Sequence, residues 1–369
     1  MTSVKQPFIA DNQRIQGIDA LRGLAVCFVF VFHCFLELHH DDGLIAKIYS
    51  GQFNHLFPHH LGVLGVQLFF VISGFCIHSS SLKWAKDHPT ATQIEIWGAY
   101  AQRRCVRILP LYFFVLISLW IIDFLQELNE YSYFDLFIHL MMLQSLVPGQ
   151  KNLINPSFWS IAVEVQLYML YPFIWYAILK WSSIKVIILF ITLCFVWKFI
   201  AVSFWPFQWW INLPWRWGFE FLLGVAAAMT LEKRWPGGWV LLILSLAVST
   251  LMLGFRSVTE LDVLSPLLFA LIVGWAARER LPFSAQLAAL GAISYEFYLV
   301  HQPVLIVINK FLCREFIGGL SMVQFSTACC LSFILCLLIS RIIKHLTDSS
   351  INYFNQSLAV QRKPASNLI

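Results

Sequence analysis

Long apolar blocks separated by short polar segments dominate this chain of 369 residues. The blocks are nearly continuous and about 17–25 residues long, which is the length of membrane-spanning helices. Spanning β-strands would be only about ten residues long and would alternate between apolar and polar residues. The pattern therefore predicts an all-α polytopic membrane protein. About ten transmembrane helices are predicted, at residues 20–38, 62–79, 108–125, 157–178, 185–203, 214–231, 239–255, 263–277, 291–312 and 323–343.

One further apolar stretch, 134–146, is too short to cross a bilayer comfortably. It has only about 13 residues, whereas a spanning helix needs about 20. We interpret it as a short re-entrant or interfacial helix.

The basic residues fix an orientation for these ten helices. With the N-terminus in the cytoplasm, 18 of the 25 Lys and Arg residues fall in cytoplasmic segments, as the positive-inside rule requires. Counting 134–146 as a full span would move later basic segments to the outside. We therefore expect a multi-pass inner-membrane protein with both termini cytoplasmic. Residues 1–346 would form the transmembrane domain, and residues 347–369 a polar cytoplasmic tail.

Composition excludes several other classes of protein. Hydrophobic residues make up 59% of the chain and charged residues 12%, whereas soluble domains are about 25% charged. The net charge of +5 reflects cytoplasmic loops and does not indicate nucleic-acid binding. The polar first 22 residues lack a cleavable signal peptide. Neither the nine cysteines nor the histidines of the 39–60 segment show metal-ligand spacing, so no metal site is predicted.

Ionisable residues inside apolar stretches are functional candidates because they are costly to bury in lipid. Arg22 and His33 are eleven residues apart, which returns them to one helix face about 16 Å apart along the axis. The alternative is that His33 is a hydrogen-bonded core histidine. Arg104 and Arg107 are three residues apart on one face and could bind phosphates by forked hydrogen bonds. The alternative for them is an ordinary positive-inside cluster.

Three further polar groups lie within predicted spans. Glu164 shares a helix face with Tyr168, and its carboxylate could orient a histidine, bind sugar hydroxyls or clamp two helices. Arg216 and Glu220 have the spacing of a local ion pair. For this pair a structural role is slightly favoured over a functional one.

Tyr295 and His301 form the third group. They could equally line a cavity or pack between helices.

Five segments in this order resemble the acyltransferase-3 family of membrane acyltransferases that modify bacterial polysaccharides. The resemblance covers nearly the whole chain. It lies in GIDALRGLAVCFVFVFH (17–33), GVQLFFVISGF (65–75), RRCVRILPLY (103–112), SFWSIAVEVQLYMLYP (157–172) and ISYEFYLVHQP (293–303). Val165 stands where the family has a second glutamate. The chain resembles the stand-alone form, without the hydrolase-like SGNH domain that some relatives carry.

The resemblance implies an O-acyltransferase that moves an acyl group, in most relatives acetyl, from cytoplasmic acyl-CoA to a saccharide or glycolipid hydroxyl. No tightly bound cofactor is implied. Arg22, Arg104 and Arg107 would bind the donor phosphates. His33 would be the general base, with Glu164 as a second catalytic candidate. Acceptor contacts would come from Tyr168, Arg216, Glu220, Tyr295 and His301.

Two other classes of function remain open at this stage. A transporter of a sugar, lipid or anion would also bury charges along a path through many spans. Repeated halves would favour a transporter, and no internal repeat is visible in the sequence. A structural subunit would leave His33 and the arginines without a role.

Overall fold

The computed structural model describes residues 11–38, 59–128, 130–181, 183–203, 213–233, 260–277, 284–313 and 321–361. Within these ranges the regular elements are helices, and no strand is present, which confirms the predicted all-α class. The helices are α1 (Asp11–Leu38), α2 (His59–Asp87), α3 (Gln93–Leu125), α4 (Tyr133–Leu140), α5 (Phe158–Lys180), α6 (Ser183–Ser203), α7 (Pro214–Lys233), α8 (Glu260–Ala276), α9 (Ser284–Gly291), α10 (Ser294–Ile308), a π-helical segment (Asn309–Cys313) and α11 (Met322–Gln361).

Five helices are long and apolar enough to cross a membrane: α1, α2, α3, α5 and α11. α9 and α10 would count as a sixth span if taken together, but they are bent by 73° at their junction. Shorter apolar stretches lie in α6 and α8, at Ile184–Trp197 and Leu264–Ala276. The predicted span at 239–255 lies outside the described residues. The structure therefore shows five candidate spans, and the count of ten stays a prediction.

The short apolar stretch after α3 forms α4, which has eight residues and is about 12 Å long. Ser132 caps its first turn: the Ser132 hydroxyl accepts a hydrogen bond from the Asp135 backbone N–H at 3.2 Å. In return, the Asp135 carboxylate accepts one from the Ser132 backbone N–H at 2.7 Å. Chain turns follow from Met141, so this helix is far too short to cross a bilayer.

The last helix runs further than the sequence suggested. α11 continues to Gln361, so residues 347–361 are helical where a polar tail was expected. Its exposed side carries a Lys344–Asp348 ion pair at 3.2 Å, one turn apart. The division between a membrane domain and a tail is not tested by this helix, and residues 362–369 lie outside the described range.

Glycines allow the central helices to approach at backbone distance. A methyl group on Gly74 of α2 would overlap the carbonyl of Phe221, and one on Gly224 of α7 would overlap the carbonyl of Val71. The same holds for Gly23 of α1 against the carbonyl of Leu287. Small residues at such crossings are how membrane helices gain packing contacts without a hydrophobic driving force. These contacts fix the positions of Ser73 and Arg22, the residues next to Gly74 and Gly23.

Gly74→Ala should therefore destabilise the protein. The added methyl group meets a backbone carbonyl that cannot rotate away, and we expect a loss of about 1–3 kcal/mol in the free energy of unfolding. Gly98→Ala is the matched control, because Gly98 lies in a helix with nothing within 4 Å of an added methyl group. It should be neutral or stabilising by about 0.5–1 kcal/mol. Thermal unfolding in detergent compares the two variants, and equal midpoints would show that the crossing tolerates a side chain.

Candidate functional site

A cavity opens between α1, α2, α3, α5 and α10. Its empty space, including the part open to solvent, is about 790 Å³. The polar residues that line it are Arg22, Ser73, Cys76, Arg104, Arg107, Ser160, Glu164, Tyr168, Ser294, Tyr295 and Tyr298, and the apolar ones include Phe69 and Phe70.

Three arginines share this cavity, although they come from two helices. Arg22 pairs with Asp19 at 2.5 Å. Arg104 donates to Ser80 Oγ at 2.9 Å, and its guanidinium lies over the Tyr168 ring, 5.7 Å from the centroid. Arg107 lines the cavity and is exposed. Three positive charges in one pocket between apolar helices give that end of the cavity a positive electrostatic potential.

Glu164 clamps α2 to α5 beside these arginines. Its carboxylate accepts hydrogen bonds from Ser73 Oγ at 2.7 Å and from the Tyr168 hydroxyl. The Ser73 and Tyr168 hydroxyl oxygens also lie 2.7 Å apart. Of the three roles considered for Glu164, this geometry corresponds to the helix clamp, because its hydrogen bonds go to these two hydroxyls and to neither His33 nor His301.

His33 and His301 form a pair, with 3.0 Å between His33 Nδ1 and His301 Nε2. His33 Nδ1 also lies 3.0 Å from the Val29 carbonyl, and His301 Nδ1 lies 2.6 Å from the Tyr298 carbonyl. Since a carbonyl only accepts, both rings carry their proton on Nδ1. The single Nδ1–H of His33 is then shared between the Val29 carbonyl and the His301 Nε2 lone pair, and the His33 Nε2 carries no proton.

The histidine pair lies just behind one end of the cavity wall. Tyr298 and Ser160 line the cavity and bond through their hydroxyls at 2.6 Å, while the Tyr298 backbone bonds His301. Ser157 Oγ lies 3.4 Å from His301 Nε2. His33 is therefore adjacent to the cavity rather than among its lining residues, whereas Arg22 lines it.

Two helices give the same distance between the arginine end and the histidine end. Ser157 and Tyr168 are eleven residues apart on α5, and so are Arg22 and His33 on α1. Tyr168 lines the cavity with Arg22, and Ser157 lies next to the histidine pair. The two helices therefore run in opposite directions, with about 16 Å between the two ends.

The other predicted acceptor residues divide into two groups. Tyr295 lines the cavity, and its hydroxyl donates to the Ile108 carbonyl at 2.8 Å. Arg216 and Glu220 are buried in α7 and are not among the cavity residues. The Arg216 guanidinium lies over the Trp217 ring, 4.5 Å from its centroid.

Several polar residues of the site were not singled out from the sequence. Ser160 lies one turn before Glu164, and Tyr298 lies three residues before His301. Ser73 falls inside the 65–75 motif. Spacing from a residue already chosen could have identified Ser160 and Tyr298, and the motif could have identified Ser73. Hydroxyl residues are common in membrane helices, however, and carry no charge that would distinguish these three.

Comparison with known proteins identifies the family of the chain. A family model described as an acyltransferase domain, that of acyltransferase-3, matches residues 15–341. The chain belongs to the acyltransferase-3 family. No solved structure matches it significantly.

Curated relatives of the acyltransferase-3 chain include two bacterial proteins. It is 25% identical over 185 residues to the "Putative peptidoglycan O-acetyltransferase YrhL" of Bacillus subtilis (strain 168), covering 44% of this chain and 24% of that protein. It is 26% identical over 171 residues to the O-acetyltransferase OatA of Staphylococcus aureus (strain NCTC 8325 / PS 47), covering 43% of this chain and 24% of OatA. The matched region thus spans about a quarter of each relative.

Proposed function

We propose that this protein is a membrane-embedded O-acyltransferase that moves an acetyl group from cytoplasmic acetyl-CoA to a hydroxyl of a cell-envelope saccharide. The observation that carries the proposal is one cavity with three arginines at one end and a histidine pair behind the other. The family and the names of the two relatives support acetyl transfer to an envelope polymer such as peptidoglycan.

The arginine end would bind the phosphates of the donor. Arg104 and Arg107 offer fork-shaped donors, which suit phosphate oxygens better than a point charge does. Arg22 adds a third charge from the neighbouring helix. The thiol-bearing arm of CoA, when extended, has a reach comparable with the distance of about 16 Å to the histidines. The thioester would thus arrive beside Ser160 and Tyr298.

The chemistry follows from the His33 tautomer. The acceptor hydroxyl oxygen attacks the thioester carbonyl carbon while His33 Nε2 takes its proton. The carbon–sulfur bond then breaks, and the CoA thiolate leaves and recovers that proton from the imidazolium. The products are the O-acetyl ester and free CoA, and His33 returns to its starting state.

His301 would hold His33 ready for this step. By accepting from Nδ1–H, its Nε2 would leave Nε2 of His33 as the basic nitrogen, and it would stabilise the imidazolium once it forms. A carboxylate performs this task in serine proteases. Here the partner is neutral, so the apolar interior holds no additional negative charge when the site is at rest.

The proposed topology is ten spans with both termini in the cytoplasm. It places the start of α3, and with it the arginines, at the cytoplasmic side, where acyl-CoA is available. The acceptor would then reach the histidine pair from the outer side. The distribution of basic residues supports this arrangement.

Donor binding tests the arginine end. Arg104→Ala and Arg107→Ala should each weaken the binding of CoA to the purified protein, and Arg→Lys should restore it only in part because lysine cannot form the fork. Arg103→Ala is the matched control, since Arg103 is exposed, lies over the Trp84 ring at 5.8 Å and does not line the cavity. Calorimetric titration with CoA measures the affinity. Equal CoA affinity in all the alanine variants would show that Arg104 and Arg107 do not bind the donor and only contribute to the membrane orientation.

Catalysis tests the histidine pair. His33→Gln should lower acetyl transfer by about 10²–10⁴-fold, because glutamine cannot take up the proton. His301→Gln, which still offers an oxygen acceptor to Nδ1–H, should lose less activity than His301→Leu. The readout is CoA release with and without acceptor glycan. His88→Gln, at an exposed histidine stacked on Trp84, serves as control. Substantial activity in His33→Gln would move the search for the base to Glu164.

Cysteine labelling tests the topology. Ser182→Cys should react with a membrane-impermeant reagent only after the cytoplasmic side is exposed, and Gln208→Cys should react in intact cells. The parent chain, with its nine native cysteines, supplies the background. Labelling on the opposite sides would overturn the orientation and, with it, the cytoplasmic donor.

A further inference from the structure

A second group of cations and aromatic rings lies outside the cavity. It consists of Lys151 in the segment before α5, Trp159 in the first turn of α5, and Arg216 with Trp217 in α7. Lys151 Nζ lies 4.7 Å from the Trp159 ring centroid, and the Arg216 guanidinium lies 4.5 Å from that of Trp217. The two indole rings are 5.2 Å apart. We call these four residues the cation–aromatic cluster.

The cluster brings two cations together. Burial, and then the neighbouring positive charge of Arg216, lower the pKa of Lys151 to about 8. Within the described ranges, Lys151 forms no ion pair with a carboxylate. Glu220 lies one turn along α7 from Arg216 and is fully buried, so it is shielded from any ligand that reaches Lys151. An anion at Lys151 would relieve the unfavourable charge there.

The cluster is accessible and adjoins the cavity. Lys151 and Trp159 are half-buried, while Arg216 and Trp217 are buried, so a ligand would meet Lys151 and Trp159 first. The Phe70 ring stacks on Trp217 at 5.2 Å, and Phe70 also lines the cavity. Trp159 immediately precedes Ser160, which lines the cavity at its histidine end. Along the axis of α5 the cluster therefore lies at the level of Ser157, the residue next to the histidine pair.

We propose that the cation–aromatic cluster is an acceptor subsite for an acidic saccharide, one that carries a carboxylate on a sugar next to the acetylated one. Lys151 would pair with the carboxylate, and the Trp159 ring would offer a flat face to the apolar side of the sugar. Held there, the neighbouring sugar would present its hydroxyl towards His33. This inference rests on the proposed O-acetyl transfer to a saccharide and adds the chemical class of the acceptor.

Binding of a matched pair of sugars tests the subsite without relying on activity. The full chain is placed in phosphatidylcholine nanodiscs and titrated with trigalacturonate and with its fully methyl-esterified form, which has the same skeleton and no charge. The acidic form should bind about tenfold more tightly, as expected for a charge-assisted contact. Lys151→Gln should reduce that advantage to about twofold or less, and Lys151→Arg should keep most of it. Lys310→Gln removes an exposed basic residue elsewhere and should keep the full preference.

Protection of Lys151 gives a second measurement on the unmodified chain. An amine-reactive reagent is applied with each sugar, with inorganic phosphate, or in nanodiscs containing phosphatidylglycerol, and the labelled peptide is quantified by mass spectrometry. Trigalacturonate should protect Lys151, whereas the ester and phosphate should not.

Three results would overturn the assignment: equal affinity for acid and ester, an unchanged preference in Lys151→Gln, or protection by phosphate or anionic lipid instead of the acidic sugar. These experiments measure binding and not transfer. A negative result would therefore reject the subsite without affecting the CoA-release test of acetyl transfer. Conversely, failure of acetyl transfer would leave the sugar binding as measured.

Discussion

Holding three guanidinium groups between apolar helices is the constraint on which the rest of this structure depends. A charge in that environment is expensive unless it is paired, solvated or close to polar groups. Asp19 pairs with Arg22, and Ser80 and the Tyr168 ring satisfy part of Arg104. The open cavity leaves Arg107 accessible. These partners offset part of the desolvation cost, and an anionic ligand would offset more of it, which supports the proposed donor site.

Close helix crossings lie directly beside these polar groups. Ser73 donates to the Glu164 carboxylate of α5, and the next residue, Gly74, meets α7 at backbone distance. A bulkier residue at Gly74 would overlap the Phe221 carbonyl, so α2 would have to shift and would carry Ser73 with it. The glycine contacts therefore also restrict the positions of the neighbouring polar side chains, since helices in backbone contact have little freedom to move.

The sequence could predict what lies on a single helix and could not predict what two helices bring together. Arg22 with His33, and Arg104 with Arg107, followed from helical spacing, and the structure places the three arginines in one cavity. The pairing of His33 with His301 joins residues 268 positions apart, and nothing in local spacing encodes it. Glu164 had three possible roles because its partner Ser73 is on another helix. Arg216 was grouped with the other membrane charges, yet it is not among the residues that line the cavity. The number of spans was predicted from hydropathy and the distribution of basic residues, and helices such as α7 carry charges that weaken the hydropathy signal.

The choice of histidine rather than a carboxylate as the partner of His33 has a physical consequence. A carboxylate beside His33 would bind the imidazolium more strongly, but it would also place a permanent charge in an apolar region when the site is empty. A neutral imidazole has a smaller desolvation cost than a carboxylate when the site is empty, and it still accepts a hydrogen bond from His33 Nδ1–H. The backbone carbonyls of Val29 and Tyr298 fix both rings in the same tautomer, so the basic nitrogen is selected without any charge. Val165, where the family has a second glutamate, is half-buried among apolar residues. Because the histidine pair derives its orientation from backbone groups, the proposed proton transfer at His33 does not call for that second carboxylate.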